Sequence, residues 1–161
     1  MTMTGEADPP SVRPGLQLAT RSAVSATLAF SLAQALKLDF PIFALAAAVI
    51  ATDLTPAETR ERGFRRLVAT GIGGLLGALA VSMNLVGIWV VGPSILIAML
   101  ICHGVGAYNG ATMAIYICGI IVLLDNGTSP WHYAFFRTGE TALGVLVAWG
   151  ISYVPKLLRD G

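Results

Sequence analysis

Six apolar segments follow one another with short polar breaks between them: Leu16–Leu36, Phe40–Leu54, Phe64–Met83, Leu85–Cys102, Tyr108–Leu124 and Phe135–Tyr153. A helix needs ~20 predominantly apolar residues, within a range of about 17–25, to cross the hydrocarbon core of a bilayer. Most of the six meet this. Phe40–Leu54 is short, so it either borrows length from its neighbours or fails to cross completely. In lipid, backbone polar groups are satisfied only within helices or closed barrels, and these runs lack the strict alternation of barrel strands. The expected fold is an all-α membrane protein with six transmembrane helices over residues 15–157, preceded by a disordered cytosolic tail at 1–14.

Composition supports this class. The chain is 55% hydrophobic and 12% charged, about half the ~25% charge of ordinary soluble domains, and its mean hydropathy is +0.74. That leaves too little polar surface to cover a water-soluble domain. Ten Lys+Arg against nine Asp+Glu give a net charge of +1, which argues against a nucleic-acid footprint. "SLAQA" presents an A-x-A pattern like a signal-peptide cleavage site, but the preceding run is rich in Ala, Ser and Thr and carries Arg21, so it reads as a retained first helix. Cys102 and Cys118 fall in different apolar segments at different expected depths. They read as small packing residues, with no disulfide and no metal-ligand spacing.

Charge sets the expected orientation. With the N-terminus inside, Arg13, Arg21, Arg60, Arg62, Arg65, Arg66, Lys156 and Arg159 are cytoplasmic, and Lys37 and Arg137 lie on the other side. The positive-inside rule then places both termini in the cytoplasm, which requires an even number of spans. Thr55-Pro56-Ala57-Glu58 reads as a capping box with Pro at the first helical position. Glu58/Arg62 and Glu61/Arg65 follow as acid-first pairs four apart. Ser129-Pro130 marks the start of the sixth helix, with Trp131, His132 and Tyr133 at the interface. Gly92-Pro93 interrupts the fourth segment, where it is expected to kink the helix.

One constellation occurs twice. Arg66, Thr70 and Gly73 open the third segment, and Arg137, Thr141 and Gly144 open the sixth, with the same spacing. Three helices per unit place two such units in opposite orientations, which is the layout of inverted-repeat transporters with a site where the halves meet. The alternative is two unrelated helices that each begin with a snorkelling Arg. Gly73 and Gly77, with Gly144 and Ala148, form small-xxx-small rows that let helix backbones approach closely.

The stretch "FPIFALAAAVIATDLTPAETRERGFRRLVATGIGGLLGAL" and the later "AYNGATMAIYICGIIVLL…FRTGETALGVLVAWGISYVP" resemble the FUSC, or aromatic acid exporter-like, integral membrane family. Its members carry "R-x-x-G-T-x-x-G-x-x-x-G" after a Ser/Thr-rich linker and close on "R-x-x-E-T-x-x-G-V-x-V-A". The likeness covers roughly Leu16–Lys156. Arg66, Thr70, Gly73 and Gly77 match the first motif, which departs at Ala69, where the family often has Gly. Arg137, Glu140, Thr141 and Gly144 match the second. The resemblance implies a six-helix bacterial inner-membrane domain, linked in some members to export of aromatic carboxylic acids. Larger relatives double this domain or append a soluble one, so a homo-oligomer is expected here.

No nucleophile constellation, phosphate loop or metal cluster stands out, so neither an enzyme nor a cofactor is expected. Intramembrane polar groups are costly and are commonly functional or paired. For Arg137 and Glu140, one reading is a local ion pair near the outer interface; the other has Arg137 attract a carboxylate while Glu140 exchanges a proton. Arg66 is the inner counterpart, or snorkels beside Arg65. Arg21 reads as an interfacial anchor. Asp53 is expected to pair with Arg60 or Arg66 or to cap the following linker, and Gln34 to bond between helices. His103, Tyr108 and Asn109 flank a Gly-rich hairpin. The leading functional expectation is a transporter of small organic anions, with Arg66, Thr70, Arg137, Glu140 and Thr141 along its path. A non-transporting scaffold or assembly subunit is the alternative, and an oligomeric channel-former a third.

Overall fold

The computed structural model describes residues 12–85, 87–107, 110–123 and 129–154. They form six helices: α1 (Val12–Ala35), α2 (Pro41–Ala51), α3 (Pro56–Ser82), α4 (Ile88–Gly104), α5 (Ala111–Leu123) and α6 (Pro130–Ser152), with no strand among the described residues. Proline opens α2, α3 and α6 at the first helical turn, where its missing N–H costs nothing and its fixed φ suits the helix. Thr55 caps α3 by accepting from the Glu58 N–H at 3.3 Å, and its hydroxyl donates to the Glu58 carboxylate at 2.7 Å. α4 runs through Pro93 as one helix.

Helix lengths sort into two groups. At ~1.5 Å per residue, α3 is about 40 Å long, whereas α2 and α5 are under about 20 Å. The apolar run that holds α2 is longer than the helix itself, because Phe40 and Thr52–Leu54 lie outside it. By length and composition, one described helix, Pro56–Ser82, is able to cross a membrane; Pro41–Ala51, Ile88–Gly104 and Ala111–Leu123 are shorter apolar helices.

The interior inverts the usual soluble pattern. Buried clusters consist almost entirely of small residues: Ala29, Ala33, Ala44, Ala48, Ala51 and Ala148 join α1, α2 and α6, while Ala69, Ala98, Cys102, Ala111 and Ala114 join α3, α4 and α5. Large apolar side chains point outward, including Trp89 (90% exposed), Phe135 (77%) and Leu100 (63%). Small residues inside and large ones outside is how helices pack when lipid, not water, surrounds them. Both cysteines are buried and free. Gln34 is exposed, so it does not bond between helices of this chain as expected.

Close approach at glycines defines the packing. A Cβ at Gly73 would collide with the carbonyl oxygen of Ala114 on α5, and one at Gly144 with the carbonyl oxygen of Ala44 on α2. Gly63 faces Val145 across the α3–α6 crossing, and Gly74 faces Ala134. These contacts pair up. The register that lays Arg66 on Arg137 also lays Gly63 on Ala134 and Gly74 on Val145. A register one residue shorter lays Ala44 on Ala114 and Phe40 on Gly110. Exchanging the first three helices with the last three therefore maps each contact onto the other.

The two ends of the bundle are also fixed. At one end, Arg21 of α1 donates to the Leu54 carbonyl at 2.6 Å and to the Val154 carbonyl at 3.1 Å. This ties the start of α1 to the α2–α3 link and to the end of α6. At the other, the Trp131 indole donates to Ser82 at 2.9 Å, joining the start of α6 to the end of α3. Asp53 pairs with Arg62 at 2.7 Å, in place of the expected Arg60 or Arg66, while its carboxylate accepts the Leu54 N–H at 2.7 Å, the alternative linker cap, and its backbone N–H donates to Thr59 at 3.0 Å. Arg62 is thereby drawn away from Glu58, while Glu61 and Arg65 pair as expected.

Candidate functional site

Two buried arginines, matched by the register that exchanges the glycine contacts, sit in different surroundings. On α6, Arg137 is 6% exposed and Glu140, one turn later, is fully buried. Their charged atoms lie 3.8 Å apart, from Nη1 to Oε2. Glu140 Oε1 accepts the Phe40 backbone N–H at 2.7 Å, at the residue that caps the start of α2. The opening turn of a helix leaves backbone donors unpaired and carries partial positive charge, so a carboxylate there is favourable.

Three aromatic rings complete the enclosure of Arg137. Its Cζ stands 3.0 Å from the Phe43 ring centroid, 4.5 Å from Tyr133 and 4.8 Å from Phe40, and Nη2 donates to the Tyr133 hydroxyl. Phe40 and Tyr133 meet edge to face at 6.0 Å. Arg137 Nε and Nη1 and Glu140 Oε2 make no hydrogen bond. Ring faces and the nearby carboxylate are what offset the buried charge. The local ion pair, one of the two readings of the sequence, is therefore present, inside an aromatic cage that the sequence reading missed. Phe40 and Phe43 are 100 residues or so from Arg137 in the chain, and the "FPIF" start of α2 was the available signal.

Arg66 on α3 is as well buried, at 7% exposed. Its Nε and Nη1 are buried without a hydrogen-bond partner. It does not snorkel. It borders a cavity of about 470 Å³ that also touches Ile50, Arg62, Arg65, Thr112 and Met113. Glu58 and Glu61 reach the rim, but Glu58 is engaged by Thr55 and Glu61 by Arg65. Gly110, just before α5, closes the cavity floor: a Cβ there would lie 2.8 Å from the Arg65 carbonyl oxygen and 2.9 Å from the Ala69 Cβ.

The remaining residues singled out by the sequence fall around these two points. Thr70 and Thr141 are buried one turn beyond their arginines. Gly73 and Gly144 hold α5 and α2 against α3 and α6, Gly77 faces Ile121, and Ala148 belongs to the α1–α2–α6 cluster. Arg66 thus lies beside a cavity and Arg137 inside a cage. His103 is exposed at the end of α4, and Tyr108 and Asn109 lie outside the described residues.

No match to a curated protein or to a solved structure was found. The profile of the fusaric acid resistance protein-like family matches residues 28–151, from α1 to the last turn of α6 and through both arginine motifs. The chain belongs to the fusaric acid resistance protein-like family.

Proposed function

We propose that this chain is an integral membrane protein of six spans, built as two inverted three-helix repeats, that carries small organic anions of the aromatic-carboxylate kind across the bacterial inner membrane. In this reading both termini are cytoplasmic, α2 and α5 are the short helices beside the site, and the protein works as a homo-oligomer. Family membership supports a transporter-like membrane protein. The outward-facing large apolar residues support a lipid-embedded bundle, and the pairwise exchange of contacts between halves supports the repeat.

The observation that carries the anion reading is Arg66: a buried guanidinium with two unpartnered nitrogens beside a cavity of about 470 Å³, within the ~300–1,000 Å³ of small-molecule sites. A desolvated cation costs several kcal/mol unless a counter-charge approaches it. An arriving carboxylate supplies that charge, with Thr70 close behind. Arg137, Glu140 and Thr141 form the matching closed station in the other half. The test is flux of labelled benzoate in sealed proteoliposomes, wild type beside Arg66→Ala. Saturable flux lost in the variant supports the carrier; flux no different from empty vesicles refutes it.

The scaffold alternative has one observation in its favour. Arg137 is enclosed by Phe40, Phe43, Tyr133 and Glu140 of its own chain, as an anchor would be. It predicts no benzoate flux together with full membrane insertion.

A further inference from the structure

We propose that the Arg66 cavity binds a carboxylate in the place that Glu140 takes in the other half of the molecule, so that the Arg137 cage is an internal template of the occupied site. The proposal deepens the anion-carrier reading and rests on it for its ligand class, but binding is measured without transport.

Two registers, one laying α3 on α6 and one a residue shorter laying α2 on α5, make the comparison residue by residue. Glu140 of α6 corresponds to Ala69 of α3. Where Glu140 gives Arg137 a carboxylate and accepts the N–H at the start of α2, Ala69 gives Arg66 nothing, and Arg66 Nε and Nη1 are left unpartnered. The start of α5 stands where the start of α2 stands, with Gly110 in the place of Phe40 and in contact with Ala69. The Gly110 N–H itself donates to the Ala107 carbonyl at 2.9 Å, so it is the buried, unpartnered arginine beside the cavity that calls for an anion.

The cage residues correspond too. Phe43 maps onto Met113 and Tyr133 onto Arg62, and Gly110, Met113 and Arg62 all border the cavity. A glycine, a flexible thioether and an arginine drawn outward to Asp53 stand where three rings close on Arg137. A ligand that completes the site therefore brings what this half omits, a carboxylate for Arg66 joined to a flat apolar body. Arg62 and Arg65 already have carboxylate partners, which fits a ligand with one negative charge.

The test is equilibrium binding of benzoate to the purified full-length chain in detergent, with benzamide as the uncharged isostere and thermal unfolding as the control for folding. Wild type is expected to bind benzoate saturably and benzamide at least tenfold more weakly. Arg66→Gln is expected to lose at least tenfold in benzoate affinity while still unfolding cooperatively. Ala69→Glu places the template carboxylate in the site, so binding is lost and the melting temperature is held or raised. Ala69→Asp tests the same point with a shorter side chain should the approach of Gly110 prevent Ala69→Glu from folding; if neither folds, Arg66→Gln and the benzamide comparison decide. Absence of benzoate binding to wild type, equal binding of benzamide, wild-type affinity in Arg66→Gln, or retained binding in a folded Ala69→Glu or Ala69→Asp overturns the proposal. Binding as expected without vesicle flux upholds the site and refutes the carrier; flux without Arg66-dependent binding does the reverse.

Discussion

The Phe40 N–H donates to Glu140 Oε1 at 2.7 Å, joining the start of α2 to the middle of α6 and setting the Glu140 carboxylate 3.8 Å from the Arg137 guanidinium. One side chain thus satisfies a helix start and balances a buried cation. Glu140→Ala removes both and leaves Arg137 without a counter-charge, at a cost of about 3–5 kcal/mol. Glu140→Gln keeps an oxygen for Phe40 and loses only the charge, so its loss is smaller. Thermal unfolding in detergent ranks the three proteins; a Glu140→Ala melting temperature equal to wild type contradicts this assignment.

Gly73 and Gly144 meet equivalent carbonyl oxygens, those of Ala114 and Ala44. Gly73→Ala and Gly144→Ala force the paired helices apart and are expected to destabilise by about 1–3 kcal/mol each, to similar degrees. Gly71 and Gly139 lie in the same two helices with open space around them. Alanine at either is expected to stabilise by about 1 kcal/mol through helix propensity. The four variants are compared by thermal unfolding, and a Gly71→Ala loss as large as that of Gly73→Ala contradicts the packing account.

Arg21 links three parts of the chain by donating to the Leu54 and Val154 carbonyls. Hydrogen bonds from a charged donor contribute roughly 1.5–3 kcal/mol. Arg21→Met keeps the stem and removes both bonds, so it is expected to destabilise by about 2 kcal/mol and to loosen the end of α6. Hydrogen exchange reads this directly: faster exchange at Ile151–Tyr153 with unchanged protection in mid-α3 is the expected result.

Some of this molecule was legible from its sequence. Thr55-Pro56 fixed the start of α3, because a capping hydroxyl and a first-turn proline act within a few residues of each other. The repeated Arg-Thr-Gly spacing marked the two helices that carry the matching arginines and glycine contacts. Other features depend on contacts between distant parts of the chain. Phe40 and Phe43 enclose Arg137 only because Gly144 lets α2 lie against α6. Arg66 has the sequence of a snorkelling residue, beside Arg65 at the mouth of an apolar run, and is buried because α5 begins over it. The apolar run around α2 overstates helix length, since Phe40 and Leu54 are apolar without being helical.

The proposed six crossings put the Arg66 cavity at one membrane face and the α1–α2 turn at the other. Single cysteines at Glu61, on the cavity rim, and at Lys37, in that turn, placed in a chain whose Cys102 and Cys118 are replaced by alanine, test it in sealed bacterial membrane vesicles of known orientation. A membrane-impermeant maleimide is expected to label Glu61→Cys from the cytoplasmic face alone and Lys37→Cys from the opposite face alone. Labelling of both positions from the same face, or release of the chain from membranes by alkaline carbonate, contradicts it.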